Sequence, residues 1–137
     1  MSCHLRVSGR KFNVDVYLKK HPCEVAALYR KGEPEYKHKP KGPKKKYSGF
    51  NICVSNAEFE NLKRQIKDAV EFLKDKDNSR QISILANYPG VEDLGLDFGV
   101  SCKQRDKFPI KWYYFPPELL LLAGKLGIGL EITFYNF

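Results

Sequence analysis

The sequence predicts an α+β domain in which one twisted antiparallel or mixed sheet of about six to seven strands carries three helices on one face. Apolar and polar residues alternate along several short segments, which is the two-residue period of a strand with one buried face. Such alternation favours an antiparallel or mixed sheet over a parallel sheet covered on both sides. Other segments carry apolar residues every three or four positions, and each of these helices must bury its apolar stripe against the sheet.

Several segments have the composition and spacing of strands. They are residues 3–7, 25–29, 50–54, 82–86, 94–100, 111–115 and 128–134. The segment 94–100 alternates most regularly, so we expect its apolar residues to face the core and its polar residues to face water. Gly9 follows the first segment and marks its end.

The clearest helix is predicted over residues 56–75. Ser55 and Glu58 form a capping-box pattern, in which each side chain satisfies a free backbone N–H at the start of a helix. The apolar stripe that follows consists of Phe59, Leu62, Ile66, Ala69, Val70 and Leu73. Charged residues occupy the opposite side, which is typical of an amphipathic helix packed on a sheet.

Two further helices are predicted from the residues at their ends. Residues 14–20 follow Asn13, a favourable N-cap residue, and stop before Pro22, which cannot continue a helix. Residues 119–126 follow two prolines, which suit a first helical turn, and precede Gly127, a typical residue after a helix end.

The chain is expected to fold as one domain over residues 1–137. This length is typical of a single domain, and hydrophobic residues make up 42% of it, enough for a core that needs no metal or disulfide. The cysteines lie far apart, without the close spacing of zinc ligands. We therefore expect reduced thiols, no metal and no cofactor. The N-terminal residues lack the apolar stretch of a secretory signal, so we expect a cytoplasmic location.

The basic character of the chain is concentrated in residues 31–47. The whole chain has a net charge of +8, and this segment alone holds seven lysines against two glutamates, a net of +5. Its prolines and glycines favour a flexible loop outside the packed elements. The candidate phosphate-binding residues are Lys37, Lys39, Lys41, Lys44, Lys45 and Lys46. A solvated loop without a binding role is the alternative, since the segment lacks the arginines usual in bidentate phosphate contacts.

The sheet face opposite the helices is the candidate partner-binding surface. Alternation along the predicted strands assigns to it Arg6, Asn51, Cys53, Ser83, Asp97, Lys111, Tyr113, Phe115, Glu131, Thr133 and Tyr135. Aromatic rings beside cations can stack on bases or anchor a protein. The partner-binding candidates are therefore Arg6, Lys111, Tyr113, Phe115 and Tyr135. The alternative is that loops fold over these rings and bury them.

The sequence contains no recognisable catalytic motif. The glycine patterns of phosphate loops, the zinc-protease pattern and the nucleophile-elbow pattern are all absent. Glu92, Asp93 and Asp97 form a small acidic group, but they lack the ligand spacing of a calcium loop. We interpret the group as a polar turn at the start of a strand, and we expect that the chain is not an enzyme.

A few stretches of the sequence resemble a known family. They are residues 3–9 (CHLRVSG), 29–33 (YRKGE), 117–120 (PELL) and 126–132 (LGIGLEI). Together they are similar to small uncharacterised bacterial domains, the domains of unknown function of the four-thousand series. The resemblance spans nearly the whole chain and concerns structural motifs, so it transfers no functional residue. Some similar small proteins look like immunity proteins of polymorphic toxin systems, which implies a protein that neutralises a toxin by binding it.

These observations favour a non-catalytic binding module of unknown partner, and the resemblance implies an immunity-type role. The alternative is an RNA- or DNA-binding protein that uses the lysine-rich loop together with the aromatic sheet face. We expect the partner to be another protein. No apolar run is long enough for a membrane span, and the sequence does not indicate an oligomeric state.

Overall fold

The computed structural model describes residues 1–102 and 110–136. Within these ranges the chain forms five strands and four helices. The strands are β1 (Cys3–Gly9), β2 (Ala27–Tyr29), β3 (Ser48–Ser55), β4 (Asp93–Ser101) and β5 (Gly129–Tyr135). The helices are α1 (Val14–Lys20), α2 (Leu62–Lys74), α3 (Lys76–Ala86) and α4 (Pro117–Leu126). The α+β class is therefore confirmed, while the numbers of strands and helices predicted from the sequence are wrong.

The strands form one open mixed sheet in the order β2-β3-β1-β4-β5. β1 lies at the centre and pairs antiparallel with both β3 and β4, and β2 pairs antiparallel with β3. β4 and β5 are parallel, and α4 provides the crossover that a parallel pair requires. β2 and β5 are thus the two edges of the sheet.

The helices cover one face of this sheet. Cys3, Leu5 and Val7 of β1 alternate toward that face and are buried there. The larger buried cluster joins β1 and β4 to α2, α3 and α4 and consists of Cys3, Leu5, Ile66, Ala69, Leu73, Ile82, Leu96, Phe98, Leu119, Ala123 and Ile128. The second cluster joins β1 and β3 to α1 and α3 and consists of Val7, Phe12, Val14, Tyr17, Phe50 and Leu85. All four described helices therefore share one side.

The ends of α1 and the end of α4 lie where the sequence predicts them. The side-chain oxygen of Asn13 accepts a hydrogen bond from the backbone N–H of Val16 over 3.1 Å, which caps α1. α4 ends before Gly127, whose φ of 72° is a left-handed conformation that glycine adopts without strain. Both features depend on local chemistry, and local chemistry is what a sequence shows most directly.

α2 begins later than the sequence predicts, at Leu62. Its N-cap is Asn61, whose side-chain oxygen lies 3.0 Å from the backbone nitrogen three residues on. Ser55 does not cap a helix, because residues 56–61 are not helical. Its hydroxyl accepts a hydrogen bond from the backbone N–H of Ala57 over 3.1 Å and donates one of 2.6 Å to Asp68 of α2. The predicted capping box is therefore wrong, and Phe59 lies in the segment before the helix.

The predicted strand 82–86 is instead the end of α3. Asp75 both ends α2 and caps α3, since its carboxylate accepts a hydrogen bond from the backbone N–H of Asn78 over 3.0 Å. Ile82 and Leu85 are three residues apart and fully buried, as expected for one side of a helix. The apolar residues of this short segment fit both the helical and the strand period, so the pattern alone led to the wrong assignment.

The predicted strand 111–115 is also wrong, because residues 110–116 are irregular and belong to no strand of the described sheet. Two prolines follow, and neither has the backbone N–H that a strand ladder needs. Side chains nevertheless alternate along the segment: Tyr113 and Phe115 are partly buried, whereas Trp112 and Tyr114 are exposed. The ring of Phe115 packs against Phe98 of β4, with 5.3 Å between the ring centroids.

We predict that Asp75→Ala lowers the free energy of unfolding by about 0.5–2 kcal/mol, because the first turn of α3 loses its capping acceptor. Urea denaturation measures this change. Lys76→Ala, at an exposed position of the same turn, is the control and should change the free energy by less than about 0.5 kcal/mol. Equal values for the two variants would contradict the role of Asp75 as a cap.

We predict that Leu73→Ala lowers the free energy of unfolding by about 2–5 kcal/mol, through lost burial and the cavity left behind. Leu73 is buried in the larger cluster, whereas Lys67 of the same helix is exposed. Lys67→Ala should therefore stay within about 0.5 kcal/mol of the wild type in the same denaturation experiment. If the two variants unfold at the same midpoint, the assignment of the buried side of α2 is wrong.

Candidate functional site

The sheet face opposite the helices, which we call the outer face, is polar at its centre. The strand register places His4 of β1 opposite Asp97 of β4, and Asp97 opposite Glu131 of β5. Arg6 and Thr133 are neighbours of these residues on the same face. The outer face therefore collects ionisable side chains from its three neighbouring strands β1, β4 and β5.

Asp97 is the centre of this polar cluster and is only 4% exposed, although the sequence predicted that it faces water. The hydroxyl of Thr133 donates to both of its carboxylate oxygens, at 2.7 and 2.9 Å. The Nε2 atom of His4 lies 3.5 Å from the same carboxylate, and Arg6 forms an ion pair with Glu131. The charged groups of the cluster thus interact with one another. This pairing lowers the energetic cost of burying the carboxylate of Asp97.

The cluster does not have the order of a nucleophilic relay. In such a relay the imidazole lies between the hydroxyl and the carboxylate, whereas here the carboxylate of Asp97 lies between Thr133 and His4. Burial lowers the pKa of His4 from its ordinary value, although the nearby Asp97 carboxylate raises it. Burial also raises the pKa of the Cys3 thiol, which makes this cysteine a poor nucleophile. Among the described residues, no group of three or more His, Cys, Asp or Glu side chains could hold a metal ion.

Tyr135, a predicted partner-binding residue, lies on the outer face but is packed against another ring. Its ring meets Phe59 edge-on, with 5.1 Å between the centroids. Both rings lie over Gly99 of β4, where an added Cβ would come within 2.9 Å of each ring. Gly99 is therefore required for this close approach, and Phe59 covers one end of the outer face.

The other aromatic residues predicted for the outer face lie elsewhere. Tyr113 is 6.4 Å from Phe134, whose register partner on β4 is buried on the helix-covered side. Phe115 packs against Phe98 on that same side, and Ser83 lies on α3. The predicted aromatic platform on the outer face is therefore wrong. Rings of β4 and β5, distant in the sequence, determine which side of segment 111–115 is buried.

A groove of about 770 Å³ lies between α2 and residues 112–118. Its apolar lining consists of Leu62, Ile66 and Val70 from α2 and of Trp112, Tyr113 and Tyr114. We call it the aromatic groove. Trp112 is 82% exposed and Tyr114 is 69% exposed, so the two rings offer most of their surface to a ligand. Exposed apolar surface concentrated in a concave site is typical of interaction sites.

Charged residues of both signs surround the aromatic groove. Lys63 and Lys67 stand beside Glu60 and Glu71 along α2 and the segment before it. At one end, Lys74 of α2 forms an ion pair of 2.5 Å with Glu118 of α4. The rim is thus balanced in charge, and this balance differs from the uniformly basic surface that binds nucleic acid backbones.

A second depression of about 480 Å³ adjoins the aromatic groove at Trp112. Lys111, a predicted partner-binding residue, lines this depression together with Phe59 and Ser101. Trp112 and Tyr113 line both cavities. Two of the predicted residues, Lys111 and Tyr113, therefore line these cavities. Trp112 was not among the predicted residues, because the alternation along the segment placed it on the opposite side.

The lysine-rich segment 31–47, which we call the lysine ribbon, joins β2 to β3. Backbone hydrogen bonds connect its first residues to its last ones. The backbone of Lys45 accepts from Gly32 over 2.9 Å and donates to Glu33 over 2.8 Å, and Pro34 and Lys44 form a β-bridge. The Nζ atom of Lys45 lies 5.4 Å from the ring centroid of Tyr29. The other candidate phosphate-binding lysines, Lys37, Lys39, Lys41, Lys44 and Lys46, are exposed.

Comparison with known protein families complements this geometry. The model of a domain of unknown function, DUF4279, matches residues 1–137. The chain belongs to this family. The resemblance to the four-thousand series of such domains is thereby confirmed. No curated protein and no solved structure matches the DUF4279 chain. In the ranges 1–102 and 110–136, it has no helix with the length and apolar character needed to cross a membrane.

We predict that Trp112, the single tryptophan of the chain, shows the fluorescence of an indole in water in the native protein. Its emission maximum should hardly move when the protein unfolds in urea, and iodide should quench it efficiently. The double variant Trp112→Phe with Phe115→Trp is the control. Phe115 is packed on Phe98, so emission from position 115 should shift to shorter wavelength in the folded state. Poor quenching of the native wild type would contradict an open aromatic groove.

We predict that His4 makes stability depend on pH. Because burial lowers the pKa of His4 in the folded state, the unfolded chain binds the proton more tightly. The stability contributed by neutral His4 is therefore complete above the unfolded pKa of about 6.5 and is lost as the pH falls through the lower, folded pKa.

Urea denaturation at about pH 7.5 and about pH 5.5 measures this dependence. His4→Gln should reduce the loss of stability between the two pH values. His38→Gln, in the exposed lysine ribbon, is the matched control and should leave that loss unchanged. An identical pH dependence in His4→Gln and the wild type would contradict the buried, neutral state of His4.

Proposed function

We propose that this DUF4279 chain is a non-catalytic binding module that recognises another protein through the aromatic groove. The exposure of Trp112, at 82%, is the observation that supports this most strongly. Trp and Tyr are the residues most enriched among those that dominate binding energy at protein interfaces. A groove that presents both residues to solvent, against the apolar side of a helix, has the composition of such a site.

The aromatic groove is also held in place before binding. Phe115 anchors the segment to Phe98 of β4, and Tyr113 lies beside Phe134 of β5. The opposite wall is α2, a helix fixed by its buried side. Binding to walls that are already ordered costs less conformational entropy than ordering a loop, so more of the contact energy appears as affinity.

The polar cluster around Asp97 supports a non-catalytic role. Its hydroxyl, imidazole and guanidinium groups are engaged with carboxylates of the same cluster. None of these contacts places the imidazole of His4 between a nucleophile and the carboxylate. We interpret the cluster as a structural feature that joins β1, β4 and β5 on the outer face.

The resemblance suggests an immunity-type partner, a toxin that the chain neutralises by binding, and we include this role in the proposal. We propose that the interaction takes place in the cytoplasm. The four cysteines are free, as is usual for proteins that work in a reducing compartment.

Capture from a lysate of the source organism, followed by titration with the captured protein, tests the proposal. Binding should shift or quench the emission of Trp112, which reports on the aromatic groove alone because no other tryptophan exists. Trp112→Ala should weaken binding by more than about 1 kcal/mol, whereas Tyr36→Ala, an exposed ring of the lysine ribbon, should not. Equal affinities of the wild type and Trp112→Ala would show that the partner binds elsewhere.

An RNA- or DNA-binding role is the second candidate, and the net charge of +5 on the lysine ribbon favours it. The ribbon leaves the β2 edge of the sheet, while Tyr113 of the aromatic groove lies beside β5, the opposite edge. A nucleic acid would therefore have to cross the sheet to use both, which makes the protein partner our first choice.

A salt series with generic RNA and DNA separates the two roles. Nucleic-acid binding should weaken steeply with salt, and replacing the six candidate lysines of the ribbon with glutamine should flatten that slope. Trp112→Ala should leave the salt dependence of nucleic-acid binding unchanged. Tight, salt-dependent binding with this pattern would support the second candidate over the first.

A further inference from the structure

β5 is an edge strand of the described sheet, and its own sequence and register give it little of the usual protection against pairing. One side of it pairs with β4 along seven residues, and no strand of the described sheet pairs with its other side. Natural edge strands are commonly protected by lysine, proline or a bulge. The sequence of β5, GLEITFY, contains neither lysine nor proline, its one charged residue, Glu131, is paired with Arg6, and its register with β4 is continuous.

Apolar side chains stand beside this open edge. Ile132 is 37% exposed and Phe134 is 59% exposed. Their register partners on β4, Phe98 and Val100, are buried. An open backbone edge flanked by exposed apolar side chains suits strand addition, in which backbone hydrogen bonds supply affinity and the side chains supply specificity.

The geometry points to antiparallel pairing of β5 with β5 of a second copy of this chain, around a two-fold axis at Ile132. In this register Ile132 faces its own copy, and Leu130 faces Phe134. Residues directly opposite each other in an antiparallel pair lie on the same face, so these side chains meet on the helix-covered side. The contact is the same from both copies, as a two-fold interface requires.

The polar residues of β5 also match in this register. Glu131 lies opposite Thr133, whose hydroxyl is already part of the Asp97 cluster. Gly129 lies opposite Tyr135, whose ring packs on Phe59 of its own chain, and the glycine has no side chain that would clash with it. Each residue of the strand thus meets a compatible side chain.

Other registers fit less well. A shift by one residue places apolar side chains opposite polar ones, because the faces of a strand alternate. A shift that centres the pair on Glu131 places two carboxylates directly opposite each other, which is destabilising. Pairing at Ile132 avoids both conflicts, and it is the register in which all seven residues of β5 pair, because Ile132 is the middle residue of the strand.

The distribution of charge favours the same arrangement. Each copy carries a net charge of +8, of which +5 belongs to the lysine ribbon at the β2 edge. Pairing through β5 leaves both ribbons at the far ends of a joined sheet whose strands are about 4.8 Å apart. The width of this joined sheet of ten strands, roughly 40 Å, exceeds the screening length of about 8 Å at physiological salt, so the ribbons repel each other little. Pairing through β2 would bring them together.

Sedimentation of the full chain over a concentration series tests the pairing. The wild type should shift from the mass of one chain to twice that mass as concentration rises. Ile132→Lys should keep the mass of one chain at every concentration, because two lysines would meet at the centre of the pair. Val16→Lys is the matched control, since Val16 is an exposed apolar residue on α1, and it should associate like the wild type. Thermal unfolding shows whether each variant is folded.

Phe134→Lys is a second variant for the case in which Ile132→Lys does not fold, and it should also remain a single chain. A single mass for the wild type at all concentrations overturns the inference. A doubled mass that persists in the folded edge variants, or that Val16→Lys also loses, overturns it too, because another surface must then hold the copies together. Trp112→Ala should associate like the wild type, so this result is independent of the proposed function.

Discussion

The central position of β1 is the constraint on which the rest of the structure depends. Its backbone pairs with β3 on one side and with β4 on the other. Cys3 and Leu5 belong to the larger buried cluster, and Val7 belongs to the second one, so a single strand supports the packing of all four helices. Its other side carries His4 and Arg6, which hold the polar cluster of the outer face. Both faces of the sheet are therefore organised by one short strand.

The sequence predicted those elements whose signals are local and missed those that depend on distant residues. The cap at Asn13 and the stop at Gly127 involve only neighbours in the chain, and both were predicted correctly. Ser55 has the right sequence context for a cap, but the six residues after it form no helix, and its hydroxyl donates to a carboxylate of α2. The start of α3 was missed because Asp75 ends one helix and begins the next without an intervening loop. A strand pattern of five residues cannot be told from the end of such a helix by period alone.

The sequence analysis named two residues of the segment that lines the aromatic groove, but it did not predict the groove. Lys111 and Tyr113 were expected to contact a partner, and both line cavities beside Trp112. The alternation along the segment was also recognised, yet it cannot show which set of side chains is buried. Contacts with other strands determine which side is buried. Phe115 packs against Phe98 and Tyr113 lies beside Phe134, so Trp112 remains exposed to solvent. These rings come from β4 and β5, and their positions follow from the sheet order, which the sequence did not indicate.

The sheet order also determines which surfaces can influence each other. Tyr113 lines the aromatic groove and lies beside Phe134, which flanks the open edge of β5. If a bound partner changes the free energy of pairing between two chains, thermodynamic linkage requires that pairing change the affinity for that partner by the same factor. The lysine ribbon lies at the other edge, separated from Tyr113 and Phe134 by the width of the sheet. Its charge can guide a partner during approach, but its lysines do not pack against the rings that form the groove.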